Sequence, residues 1–255
     1  MKKFILLSLF VLPLTLSAQI VMADFVVLNE GADADYNKLE KVWKVHHQKA
    51  IDAGHKIAWS VWKRTPTADE GENAPDSVIF NQFSSMDQLE KYRNSFDYKK
   101  AVVEMKSGLR GKMSSRTINS ILSKNVKKQV RTYTIQLVDA TAFTGGDLKK
   151  GDKMSYVAMT QLKDDYEEYE SKIWKPSFEK EILRNNFRWW ALTKIVDRNE
   201  AAYKPLTHIV WNIGVENPRD FIDEDDYATR QMKSMMDSYR NMSRANELTL
   251  VYQNE

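Results

Sequence analysis

The sequence predicts an α+β fold built from two tandem βαββαβ units, and three observations predict it. First, residues 24–83 match residues 155–214 at a constant offset of 131 without a gap, and ten of the sixty pairs are identical. Average composition would give roughly three or four by chance. Second, the identities include a rare residue twice, Trp43/Trp174 and Trp59/Trp190, together with Asn81/Asn212 and Lys63/Lys194. Conservative pairs such as Phe25/Tyr156, Val61/Leu192 and Phe80/Trp211 fall between them. Third, the apolar pattern switches between strand and helix periods in the same order in both copies.

In the first unit, Asp24–Asn29 is short and apolar and reads as a buried strand. Asp35 can cap a helix carrying Leu39, Val42, Trp43, His46, Ala50 and Ile51 at helical spacing, and Gly54 stands where a C-terminal glycine belongs. His55–Arg64 alternates, with Ile57, Trp59 and Val61 on one face and Ala58, Ser60 and Trp62 on the other. Thr65–Asp76 is rich in Pro, Gly, Asn and acids, a loop composition. Ser77–Phe83 is a strand, Ser85 precedes a second helix with Leu89, Tyr92 and Phe96, and Val130–Val138 closes the unit as a strand.

The second unit repeats the plan. Ser155–Leu162 is a strand, Tyr166–Asn185 a helix, and Phe187–Val196 and Leu206–Val215 are strands. Asn217-Pro218 starts a helix that runs through Phe221, Met232, Met235, Met236 and Tyr239, and Leu248–Tyr252 is the last strand. The units divide as 19–140 and 154–255, with 141–153 as linker. Asn81 to Ile135 spans 54 residues and Asn212 to Leu250 only 38, so the first unit carries about sixteen extra residues near 106–128. From Asp97 to Lys153 there are thirteen Lys or Arg against five acids. This stretch reads as a solvated basic face with a mobile loop, or as an anion-attracting rim over a pocket.

The N-terminus, Met1-Lys2-Lys3 followed by an apolar run from Phe4 to Leu16, has the pattern of an export signal. Cleavage is expected after Ala18, with Ala23 as the other site, which places the mature chain in a periplasmic or extracellular space. Without residues 1–18 the count is 36 Lys or Arg against 35 acids, so the mature net charge is +1. A balance so close to neutral argues against nucleic acid as a partner. No stretch beyond the signal is long and apolar enough for a membrane span. With no Cys, neither a disulfide nor a thiolate site can form. Oligomeric state is left open.

An antiparallel βαββαβ sheet covered by helices on one face must bury the other. Two copies in one chain can bury it for each other. In element order and duplication the chain resembles the dimeric α/β-barrel superfamily, in which two ferredoxin-like units pack sheet to sheet. The resemblance covers about residues 19–255 and implies an intrachain barrel. It also implies that a small ligand can lie between the sheets. Members include cofactor-independent monooxygenases, haem-using proteins, isomerases and proteins without known activity.

No motif names a reaction. A nucleophile elbow, a phosphate-binding Gly loop and a calcium loop are all missing, and the sequence requires no cofactor and offers no metal site. His46 and His47 adjoin on one helix and diverge by about 100°, so they cannot chelate one ion. The leading expectation is a small apolar or aromatic ligand between the sheets. Asn81, Asn212 and His208 would supply polarity, and Trp59, Trp62 and Trp190 the walls. The alternative is a monooxygenase-like or haem-using enzyme with His46 or His208 as base or ligand. A third reading is a partner-binding module with the basic insertion as its surface. Each signal also has a plain structural reading: repeated Asn as fold hydrogen bonds, Trp as core, Lys63/Lys194 as solvated strand ends. His46/Ser177, His47/Phe178 and Ser77/His208 differ between copies, so an asymmetric site would sit there.

Overall fold

The computed structural model describes residues 19–68, 70–214 and 227–254. The export-signal reading and the helix start at Asn217-Pro218 with Phe221 lie outside the described residues. The first half runs β1 (Ile20–Leu28), α1 (Asp33–Asp52), β2 (Ala58–Arg64), β3 (Ser77–Phe83), α2 (Met86–Ser95), α3 (Tyr98–Gly108), α4 (Ser115–Leu122) and β4 (Lys127–Ala140). The second runs β5 (Lys153–Gln161), α5 (Tyr166–Tyr169), a π turn (Glu170–Trp174), α6 (Lys175–Leu183), β6 (Trp189–Arg198), β7 (His208–Ile213), α7 (Tyr227–Tyr239), β8 (Arg240–Met242) and β9 (Asn246–Gln253).

All strand pairs are antiparallel, and the order β7-β6-β4-β1-β3-β2-β9-β5 closes through β7–β5 into an eight-stranded barrel. β8 pairs with β5 at Met159, Thr160 and Gln161, further along β5 than the stretch paired with β9. The two halves are therefore not separate sheets laid face to face. β4 pairs with β6 and β9 pairs with β2, so each half's final strand closes onto the other half. Closure removes every long free edge, which an open sheet would leave as unpaired N–H and C=O groups.

Side-chain alternation then sorts the apolar residues into layers. Ala23, Phe25, Trp62, Phe80, Tyr133, Tyr156 and Trp211 point into the barrel. Val26, Leu39, Val42, Trp59 and Val61 lie between the sheet and the first half's helices. Tyr166, Trp174, Phe178, Trp190 and Leu192 do the same in the second half.

The insertion is not a loop. α3 runs into it and α4 lies within it, and the side chains of Asp97 and Ser114 cap the two helices by accepting from backbone N–H groups. Ala101, Met105, Ile118 and Ile121 are buried against Leu39, Val42 and Val126. Asp35 does not cap α1, which begins at Asp33. Its carboxylate instead accepts from Lys38 at 3.1 Å and Lys124 at 2.5 Å. In the second half, Pro176 lacks the N–H that would bond back one turn, and the preceding turn opens into a π turn. Glu170 sits in that turn, buried, and pairs with the buried Arg240 of β8.

Candidate functional site

The barrel centre is filled. Phe25 meets Tyr133 and Tyr156 edge-on with ring centroids 5.5 and 5.4 Å apart, and Phe80 meets Trp211 at 5.0 Å. Cavities remain only towards the ends, of about 470 Å3 beside Phe25 and about 120 Å3 beside Trp62, among the pockets seen in the described residues. Of the six residues expected to line a site between the sheets, Trp62 alone points inward. Trp59, Asn81, Trp190, His208 and Asn212 alternate to the outer face, under the helices. Phe80, Ile209 and Trp211 take the inward positions next to them in sequence.

The outer face of the first half holds a cleft of about 350 Å3 lined by Asp24, Trp43, His47, Asn81, Tyr92 and Phe96, with Arg93 and Lys127 also in its wall. Behind it lies a residue that sequence reading passed over. Gly54, at φ +71°, turns the chain out of α1, and Lys56 then points into the protein while Ile57 points out. Lys56 is 2% exposed and Ile57 is 45% exposed, the reverse of what alternation from Ile57 predicts. β2 begins only at Ala58, so Ile57 lies outside its alternation.

Burial is offset here by bonding. Lys56 Nζ donates to Asn81 Oδ1 at 2.7 Å and to His47 Nδ1 at 3.0 Å, and lies 4.4 Å from the centre of the Tyr92 ring. Desolvation still lowers the ammonium to about 7, with Asp24 opposing. Burial and the neighbouring Lys56 hold His47 well below the usual imidazole range. His47 stacks on Trp59 at 4.7 Å and on Trp43 at 5.9 Å.

These contacts fix hydrogen-bond polarity. A lysine nitrogen at this pair of distances serves as donor, so Asn81 presents its oxygen to Lys56 and keeps its NH2 end as donor. Assigning Lys56 as the donor to His47 Nδ1 places the ring proton on Nε2. Asp24 lines the same cleft as Asn81 and His47. Burial pushes its carboxyl up, offset only in part by Thr132 Oγ1 at 2.6 Å and by Lys127, Lys56 and Arg93. Glu40 is likewise pushed up by burial and pairs with Lys127 at 3.2 Å.

The histidines named as candidates are already engaged. His46 Nδ1 is 2.8 Å from Glu104 and its Nε2 is 3.5 Å from Tyr92 Oη. His208 is fully buried, with Nδ1 2.9 Å from Thr207 Oγ1 and Nε2 3.2 Å from Glu167, which also pairs with Lys194 at 2.8 Å. Burial lowers both imidazoles, and their glutamates counter it only in part. His208 has both ring nitrogens within hydrogen-bond distance of a partner, whereas His46 is held firmly only through Nδ1, its Nε2 meeting the Tyr92 hydroxyl at the long distance of 3.5 Å. Among the described residues no group of three or more His, Cys, Asp or Glu could hold a metal ion. No helix there is long and apolar enough to cross a membrane.

The second half does not repeat the charged site. At the offset of 131, Phe187 replaces Lys56, Phe178 replaces His47 and Ser155 replaces Asp24. Phe178 packs on Phe187 at 5.5 Å and stacks on Trp190 at 5.8 Å. Asn212 keeps the place of Asn81, but its buried Oδ1 has no donor among the described residues.

No protein-family model matches the chain. No curated protein matches it either. Solved structures do. A candidate monooxygenase from Fusobacterium nucleatum subsp. nucleatum superposes with a TM-score of 0.59 at 8% identity, covering 94% of each chain. An anthrone oxidase-like protein gives 0.55 at 12% identity over 93% of each chain. A candidate monooxygenase from Lactobacillus acidophilus NCFM gives 0.55 at 9% identity, covering 92% of this chain and 95% of that one. Identities this low speak for architecture alone. The closed antiparallel barrel with helices outside, shared across nearly the whole length of these chains, makes this a protein with the fold of the dimeric α/β-barrel superfamily.

Proposed function

We propose that the chain is an enzyme acting on a small aromatic molecule with an ionisable hydroxyl, bound in the cleft between α1, α2 and the outer face of β1 and β3. One observation carries this reading: buried Lys56 bonds to both Asn81 and His47, and so turns the amide NH2 of one and the ring N–H of the other into fixed donors. Two preset donors in a partly dry cleft suit an oxyanion. Trp43, His47 and Phe96 give flat walls. Asp24, with its carboxyl raised by burial, is the base. The substrate O–H bond breaks, the proton passes to Asp24, and the electron pair stays on the oxygen held by Asn81 and His47. Dioxygen is the co-substrate that the anion would then meet. The names of the structural neighbours, anthrone oxidase-like and candidate monooxygenases, support that class.

The test is dioxygen uptake with anthrone as probe, which offers the ionisable O–H through its hydroxyl tautomer, anthranol. Uptake that falls at least about a hundredfold in Asp24→Asn is expected for a general base. Anthrone binding without uptake would leave a carrier and remove the enzyme.

We also propose that the halves descend from one βαββαβ ferredoxin-like unit by duplication. The agreement of β2 with β6 and β3 with β7 at the offset of 131 supports this. We propose further that residues 1–18 direct export. Cleavage after Ala18 leaves β1 whole, whereas cleavage after Ala23 removes Ile20–Ala23, which pair with β3 and β4. The N-terminal mass of the protein from a periplasmic extract decides this: Gln19 as first residue supports it, and Met1 contradicts it.

A further inference from the structure

The barrel end beside Phe25 opens into the cavity of about 470 Å3, on the inner side of the sheet and away from the cleft. Two arginines belong to this end. Arg64, on β2, is fully provided for: it pairs with Glu70 at 2.7 Å and donates to the carbonyls of Pro75 and Thr65. Arg131, on β4 opposite Phe25, is not. It alternates inward with Tyr133 and Ile135 and donates from Nη2 to Asn73 O at 2.6 Å. No carboxylate lies within ion-pair distance of it among the described residues. Its Nε is buried without an acceptor among the described residues.

A buried guanidinium N–H with no partner costs about 1–3 kcal/mol, more because the group is charged. An arginine in a cavity wall with an orphan donor is therefore short of an anion. Two more donors line the same cavity. Tyr133 Oη accepts from Tyr203 N at 2.9 Å, which leaves its own hydrogen to give. Tyr156 is held as the neutral phenol, since burial pushes it up to about 12. The other surfaces are flat or apolar, from Phe25, Leu206 and Ile209.

We propose that this barrel mouth is a second binding site, for an aromatic carboxylate, with Arg131 taking the carboxylate, Tyr133 and Tyr156 donating beside it, and Phe25 packing on the ring. It is independent of the cleft, from which the filled barrel centre and the sheet itself separate it.

Titration calorimetry on the full chain with 2-naphthoate and 2-naphthamide tests this. Naphthoate is expected to bind about tenfold or more tightly than the amide, since a charge-assisted hydrogen bond is worth about 1.5–3 kcal/mol. Arg131→Gln should bring naphthoate down to the amide's affinity. Ala158→Phe, which fills the mouth, should abolish binding of both, whereas Asn81→Leu in the cleft should leave naphthoate unchanged. Thermal melts of each variant separate lost binding from lost folding. Equal affinity for acid and amide, no effect of Arg131→Gln in a folded variant, or loss in Asn81→Leu with retention in Ala158→Phe would each overturn the proposal. So would no binding of either probe. None of these outcomes bears on dioxygen uptake in the cleft.

Discussion

Lys56 Nζ donates to Asn81 Oδ1 across 2.7 Å. At the matching places of the second half stand Phe187 and an Asn212 whose Oδ1 has no donor among the described residues. One polar scaffold position thus persists in both halves, while the cation that gives it chemical direction exists in one.

Lys56 makes stability depend on pH in a definite window. Its ammonium falls from 10.5 to about 7 on folding, so between those values the unfolded chain binds more protons. Stability must then rise with pH from about 7 towards 10.5, and the burial penalty is fully present below 7. The whole window is worth about 4–5 kcal/mol for this nearly inaccessible group. Urea unfolding of the wild type between pH 7 and 10 should therefore gain on Lys56→Met. Parallel pH curves would show that Lys56 titrates normally in the fold.

The two asparagines should respond in opposite ways. Asn81→Leu strands a buried ammonium and an imidazole partner and should destabilise by about 2–4 kcal/mol. Asn212→Leu removes an unsatisfied buried oxygen and should be neutral, or stabilising by about 1 kcal/mol. Chemical denaturation of both variants checks this, and equal losses would mean that the amides do the same work.

Glu170 and Arg240 form a buried pair across the π turn and β8. Glu170→Gln leaves an uncompensated buried cation and should cost about 3–5 kcal/mol. Glu170→Met with Arg240→Met should recover most of it, because two apolar side chains avoid both desolvations. Melting temperatures of the three proteins decide the matter.

The insertion and the helix that leads into it should behave as core. Met105→Ala and Ile118→Ala should each cost about 2–4 kcal/mol, as for buried methionine and isoleucine. Losses under 0.5 kcal/mol would return the segment to a surface loop.

Much of the architecture was legible because it is written in periodicity. The apolar runs of β3 and β7, the alternation of Trp59 and Val61 in β2 and the helical spacing of α1 are local patterns. α3 and α4 were not read as helices, although the caps Asp97 and Ser114 and the spacings Ala101/Met105 and Ile118/Ile121 are in the sequence. A basic composition hid them. The site was less legible, because which face of a strand meets helices and which meets the lumen depends on barrel closure. Asn81 stood out as a mid-strand amide, but its partner Lys56 gave no sign. A lysine after a turn glycine reads as surface, and only the assembled fold supplies His47, Asn81 and the Tyr92 ring around it. The same closure moved Trp59, Trp190, His208 and Asn212 out of the space between the sheets.

The most direct test of the account is the ultraviolet difference spectrum of 2-naphthol bound to the protein near pH 7. If the cleft removes a proton to Asp24 and holds the anion with Asn81 and His47, bound probe shows the naphtholate band. That band disappears in Asp24→Asn, and affinity falls about tenfold or more in Lys56→Met, in keeping with lost hydrogen bonds to a charged group. A bound probe that keeps the neutral naphthol spectrum in the wild type, with affinity unchanged in Lys56→Met, would contradict it.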